Sequence, residues 1–364
     1  MLPQDPSAIL NQLLDEQNIR SKYFVDGLLS SRRYNRFWRY TRPDANLFFT
    51  AISVFTLQRL YPRLTPAEQP LATQFMARAQ AAYPHFRNKD GLNTYNFYGT
   101  VPTAHFPHGK IMRHFRHFKL PDDIDDTAMV FLTTRPTPPE LAFLVEKLAH
   151  HAASPQQPAQ NTYPDCAQLR AYSTWFGQTM PVEFDACALT NMLCVVYENN
   201  LPPDQHAQDG LRFLASCIQT NRYRTDPFGC APNYARAPLI QYHMARLIGT
   251  HNPPTLAPLR PVVVAHLHQD LAQTTYLPDQ LLLAISLLNL GETPRFALPV
   301  HLPDDTFENF TFFIAGMLSA YPQPWLRRWA NRPFWHIRWR CEGHNLVLLL
   351  EYLVLNRRFS PPPA

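Results

Sequence analysis

Seven stretches of this 364-residue chain open in the same way, and that layout constrains the fold more than any single motif does. A polar loop ends in Pro or Asp, and an apolar run comes at once. The starts are Pro43-Asp44, Pro121-Asp122, Glu183, Pro232, Pro278, Pro303 and His344. Proline suits the first turn of a helix because it has no N–H to leave orphaned, and an aspartate beside it complements the helix dipole. Between these runs lie amphipathic ones, such as PPELAFLVEKLAHHA and DQHAQDGLRFLASCIQ, with apolar residues at helical spacing. Alternation of the two kinds predicts two concentric layers, an inner one buried all round and an outer one with a wet face. Roughly six such pairs fit the length, which predicts an all-α chain: one α/α toroid whose inner-helix starts gather at a single mouth. An irregular helical bundle is the alternative. The toroid would span 43–358, behind a helical and basic-aromatic segment at 1–42, with a disordered tail at 359–364.

Composition narrows the function. Prolines number 36 and glycines 11, with no G-x-G-x-x-G and no Walker loop, so a glycine-built phosphate cradle is excluded. Hydrophobic residues make up 46%, enough for a large core rather than a disordered chain. A formal charge of +5 is mild and does not point to nucleic acid. The six cysteines form no C-x-x-C pair and, with no apolar leader at the N-terminus, read as reduced core thiols. The longest apolar runs, LVLLLEYLVL and QLLLAISLLNL, are too short to span a bilayer. The expectation is a cytoplasmic chain.

The chemistry concentrates at LPDDIDDT, where Asp122, Asp123, Asp125 and Asp126 crowd one helix start. Capping needs one or two of them; four repel one another. One outcome is that the cluster holds a proton: like charge and burial raise the carboxyl pKa values, and a neutral Asp aimed into an apolar cavity can protonate a double bond or epoxide. A neighbour, His105 or His108, would help set that protonation. The other outcome is that Asp122 and Asp126, in D-D-x-x-D spacing, hold Mg²⁺ bridged to a diphosphate.

Asp123-Ile124-Asp125-Asp126-Thr127-Ala128 resembles the D-x-D-D-T-A motif of class II terpene cyclases, especially those that make copalyl diphosphate. The resemblance implies an α/α barrel with the motif at an inner-helix start. It implies Asp125 as general acid, Asp123 and Asp126 as its supports, and protonation-initiated cyclisation or isomerisation of an isoprenoid. Protonation itself needs no cofactor; Mg²⁺ would enter with a diphosphate substrate. The Q-x-x-x-x-x-W repeats of triterpene cyclases are absent, and the length holds one toroid rather than two domains. An echo, LPDDTFE, places Asp304, Asp305 and Glu308 at what reads as another helix start.

A carbocation needs dry aromatic walls, because ring faces stabilise cations without attacking them. The stretch 93–119 supplies Tyr95, Phe97, Tyr98, Phe106, Phe115 and Phe118 among His105, His108, His114 and His117. Trp175, Asp185, Tyr234 and Arg236 would face the same mouth. Arg236 could grip a diphosphate, and Asp125 with Asp185 could serve acid–base hydrolysis of a glycan. Two further segments, SSRRYNRFWRYTR and WLRRWANRPFWHIRWR, mix arginine with aromatics. That mixture suits contact with an anionic membrane surface, and also RNA stacking or plain packing of Arg stems on rings. A divergent toroid that binds a lipid or a protein without catalysis remains the runner-up.

Overall fold

The computed structural model describes residues 1–18, 24–101, 103, 105–110, 112–114, 119–177, 180–319, 321 and 323–357. About 53% of the chain is helical, in fourteen helices among the described residues. Six of the seven apolar runs form helices: α2 (Phe48–Leu60), α4 (Ile124–Thr133), α6 (Ala186–Glu198), α10 (Ala237–His251), α12 (Leu277–Asn289) and α14 (Glu342–Asn356). Each is buried on nearly every face. The amphipathic runs form α1 (Pro6–Glu16), α3 (Glu68–Ala82), α5 (Pro138–His151), α7 (Gln205–Gln219) and α11 (Arg260–Gln273), with the short helices α8 (Arg222–Thr225), α9 (Pro227–Cys230) and α13 (Pro324–Ala330) between and after them.

The buried helices meet in a fixed order. Helix α2 packs on α4, α4 on α6, α6 on α10, α10 on α12, α12 on α14, and α14 on α2. Among the amphipathic helices, α3 lies on α2, α7 on α6, α11 on α12, and α1 on both α3 and α14. The buried helices are also laced together at their starts. Asp44, ahead of α2, accepts from the indole of Trp339, ahead of α14. Asp185, the N-cap of α6, accepts from the backbone of Asn233, ahead of α10, at 2.9 Å. Arg236, at the N-cap of α10, pairs with Asp279 in the first turn of α12.

Three expectations need correction. The chain is mostly helical, as expected, but it carries strands as well. Strands β1 (Ser31–Asn35), β2 (Tyr40–Asp44), β5 (Phe313–Gly316) and β6 (His336–Arg340) form an antiparallel sheet in the order β2-β1-β6-β5, and β3 (Tyr95–Asn96) pairs with β4 (Asp122–Asp123). The Arg/aromatic segments supply three of those strands. Along β6, Ile337 and Trp339 are buried while Arg338 and Arg340 stay half-buried, the two-residue period of a strand. Second, the run after Pro303 forms turns, not a helix, before entering β5. Its FTFFIAG core is β-branched and aromatic, which favours the sheet. Third, the Pro-Asp signals place helix starts a few residues early, as at Asp122, where the helix begins at Ile124 with Asp123 as its cap. Strand β1 pairs directly with β6, so the strand segment before α2 joins one near the C-terminus. Phe115, His117, Phe118 and the tail at 359–364 lie outside the described residues. All six cysteines are buried and free. Among the described residues no helix is long and apolar enough to cross a membrane.

Candidate active site

The first turn of α4 forms because Asp123 caps it. Its Oδ1 accepts from the backbone N–H of Asp125 at 2.9 Å and of Asp126 at 2.8 Å. Two orphan donors are thereby satisfied by one carboxylate. The bracing on either side is strong: Thr127 accepts from the backbone of Tyr95, and Ile124 donates to the carbonyl of Thr174. The cap therefore holds Asp125 and Asp126 in place without using either side chain.

Asp125 points at two partners from other buried helices or their lead-ins. Its Oδ1 accepts from the Asn191 amide of α6 at 2.6 Å, and its Oδ2 accepts from the Tyr234 hydroxyl at 2.5 Å. Asn191 accepts in turn from Arg246 of α10. Burial pushes the Asp125 carboxyl up to about 6, against the pull of the Tyr234 and Asn191 hydrogen bonds and of Arg246. Asp123 is pushed up to about 8, by burial first and then by the Asp125 charge. Asp126 is raised well above the ordinary carboxylate value by burial and by Asp123, and its Oδ1 is buried without a hydrogen-bond partner. Two carboxyls so close, in so dry a place, hold a proton between them.

All three open on one cavity of about 120 Å³. Seven rings line it: Phe48, Phe97, Phe106, Trp175, Tyr234, Phe313 and Trp339. Leu120, Met180, Ile314 and Met317 complete its apolar wall, while Thr174, Glu183, Asn233 and Ser319 add polar groups. No Lys or Arg is among the described residues that line it. The cations near the helix starts are each paired: Arg33 with Asp44 at 2.5 Å, Arg236 with Asp279, and Arg327 with Glu183 at 3.3 Å.

Asp123, Asp125, Asp126, Phe97, Phe106, Trp175 and Tyr234 thus converge on it. The other described candidates do not. His105 packs against the rings of Tyr98 and Phe106, with centroids at 5.3 and 4.9 Å, so the neighbours that set Asp125 are a tyrosine and an asparagine, not a histidine. Tyr98 turns its hydroxyl to Asp44 at 3.3 Å. Tyr95 sits on β3, beside α4 rather than in the cavity wall. Asp185 spends both oxygens on backbone N–H groups, those of Cys187, Ala188 and Asn233, and is no partner for hydrolysis with Asp125. Arg236 is committed to Asp279. Asp122 faces away, bonded at 2.5 Å to the buried Lys147 and opening on a second, polar pocket with His150 and His151. Asp122 and Asp126 therefore do not converge on one ion. The Asp304-Asp305-Glu308 echo lies exposed in turns, with Asp304 paired to the chain's amino terminus.

Sequence reasoning missed Asn191 and Arg246. Each is a buried polar residue well inside a mostly apolar helix, ACALTNMLCVV and APLIQYHMARLIG, and a buried polar group requires a partner. That signal was present. Comparison with protein-family models, with curated proteins and with solved structures found no match.

Proposed function

We propose that this chain is an α/α toroid of the terpenoid-cyclase type, and that it cyclises or isomerises an uncharged isoprenoid by protonating it from Asp125. The toroid reading is supported by the order of helix contacts, which passes through all six buried helices and returns to the first. The observation that carries the chemistry is Asp125 itself, a carboxyl with raised pKa on the wall of a cavity lined by seven rings.

In this reading the Asp125 O–H gives its proton to one carbon of a terminal double bond, or to an epoxide oxygen. The electron pair of that bond leaves a carbocation at the neighbouring carbon. The next double bond attacks it intramolecularly, and loss of a proton or capture of water ends the sequence. The rings face the cation without competing as nucleophiles. The Asp125 carboxylate left behind is received by hydrogen bonds already in place from Asn191 and Tyr234, so little reorganisation accompanies charge development. Asp123, raised further than Asp125, holds its own proton while Asp125 gives its proton up.

A cavity with no Lys or Arg among its described lining residues, and with the nearby Arg33, Arg236 and Arg327 paired, offers a diphosphate no counter-charge. The separation of Asp122 from Asp126 weighs against the Mg²⁺ alternative. The test is turnover of polyprenyl alcohols, epoxides and diphosphates by wild type and Asp125→Asn. The expected result is conversion of an uncharged substrate, insensitive to chelator, that Asp125→Asn abolishes while its thermal midpoint holds. Full activity in Asp125→Asn would overturn the assignment of the acid, and no turnover of any of these substrates by wild type would leave the lipid-binding alternative.

A further inference from the structure

The β1–β2 turn and the α13 region, almost 300 residues apart in sequence, meet on the surface and pool their aromatic rings. Phe37 stands 64% exposed, Trp325 60%, Trp329 48% and Phe334 44%. Among the described residues these are the large aromatics that remain exposed; the other exposed large hydrophobics are Met1 and three valines. The rings are organised rather than scattered. Phe37 and Trp38 each contact Phe334 with centroids 5.9 Å apart, and Trp38 also meets Trp335 edge-on at 6.2 Å.

The same surface is basic. Neither 31–43 nor 324–341 contains a carboxylate, and besides Arg33 and Arg327, which are paired with Asp44 and Glu183, each contains four arginines. Arg36 and Arg39 flank Phe37 at the turn, Arg328 lies exposed on α13, and Arg332 lies over the Trp329 ring at 4.9 Å. Exposed rings beside arginines are costly in water but suited to a headgroup layer, where rings reach the acyl boundary and guanidinium groups meet phosphates.

We propose that this face docks the protein on an anionic bilayer. Charge complementarity selects the occupant, and position supports it. Helix α13 is fastened to the cavity wall by the Arg327–Glu183 ion pair, and the backbone of Met317, a lining residue, donates to the carbonyl of Trp335 at 2.9 Å. Docking therefore sets the cavity beside the medium in which an apolar ligand dissolves. That last link rests on the proposed function; the docking does not.

The experiment is sedimentation of the full chain with vesicles of phosphatidylcholine alone or mixed with phosphatidylglycerol, together with tryptophan emission. The expected result is binding to the anionic vesicles about tenfold tighter than to the neutral ones, weakened by salt, with a blue shift as Trp325 and Trp329 leave water. The combined variant Phe37→Ser, Trp325→Ser, Trp329→Ser, Phe334→Ser should lose about tenfold or more in partitioning. If that variant misfolds, Phe37→Ser and Trp325→Ser singly carry the same test at the two most exposed positions. Wild type remaining unbound, ring variants binding as wild type does, or displacement from vesicles by single-stranded RNA would each overturn the proposal. Because the readout is binding, failure of the acid chemistry leaves this result standing, and the converse holds.

Discussion

Helices α4 and α6 begin alike and end up with different work. Both are capped by an aspartate, Asp123 or Asp185, whose Oδ1 accepts from the second and third backbone N–H groups of the helix. At those positions α6 carries Cys187 and Ala188, while α4 carries Asp125 and Asp126. Just before the cap, α6 has Phe184, packed on Phe213 at 5.3 Å, where α4 has Asp122 bonded to Lys147. Capping therefore accounts for one carboxylate in each helix. Helix α6 shows that a start at this layer can be built from apolar neighbours. The extra aspartates of α4 are buried at a cost in stability that no structural duty of the helix offsets, which is the pattern of a functional site.

The comparison can be broken by exchanging the residues that differ. Asp125→Asn removes the acid held by Asn191 and Tyr234, and turnover should fall about a thousandfold or more with the thermal midpoint unchanged. Asp185→Asn, which still caps, should leave turnover within a few fold; a loss equal to that of Asp125→Asn would erase the distinction. Next in size, Lys147→Met strands the buried Asp122 charge and should destabilise by about 3–5 kcal/mol in denaturant titration. Adding Asp122→Phe, the residue α6 has there, should recover much of that loss. Tyr234→Phe removes a hydrogen bond that favours the Asp125 carboxylate. Loss of activity with rising pH, expected in wild type near the raised Asp125 value of about 6, should therefore move upward, and a downward shift in the pH–rate profile would contradict the assignment. The smallest effect is on stability against pH. Asp123 and Asp126 bind protons more tightly folded than unfolded, so the folded state holds more protons above the ordinary carboxylate range. Their contribution to stability falls as pH rises from about 4 through the folded value of Asp123, about 8. Asp126→Asn should flatten that fall in thermal midpoints measured between pH 5 and pH 8.

How much of this was legible in the sequence differs by region for physical reasons. The six buried helices were legible, because Pro and Asp starts ahead of apolar runs leave few alternatives. Asp123, Asp125 and Asp126 were legible because no helix cap needs three. The sheet was not. Its strands are five residues or fewer, and β1 buries Arg33 and Tyr34 side by side, so it carries no sustained alternation. Such short segments give equally good reasons to expect surface packing. His105 misled because a histidine is the usual residue for tuning an acid near neutrality, whereas here Tyr234 and Asn191 act through hydrogen bonds alone. The LPDD sequence occurs twice, at 120–123 and 302–305, and only the first copy buries its aspartates. The residues after each copy separate them: Asp126 and Thr127 are buried, whereas Glu308 and Asn309 at the corresponding positions face water.

The contact between α14 and α2 has a consequence for how the molecule is made. Helix α2 is among the first buried elements to leave the ribosome, and the last of its buried-helix partners is α14, about 290 residues later. At roughly 5–20 residues per second, one face of α2 waits about 15–60 seconds for its cover. The strand pair β1–β6 waits as long. A nascent chain stopped between residues 60 and 336 leaves one face of α2 and one edge of β1 without their partners together.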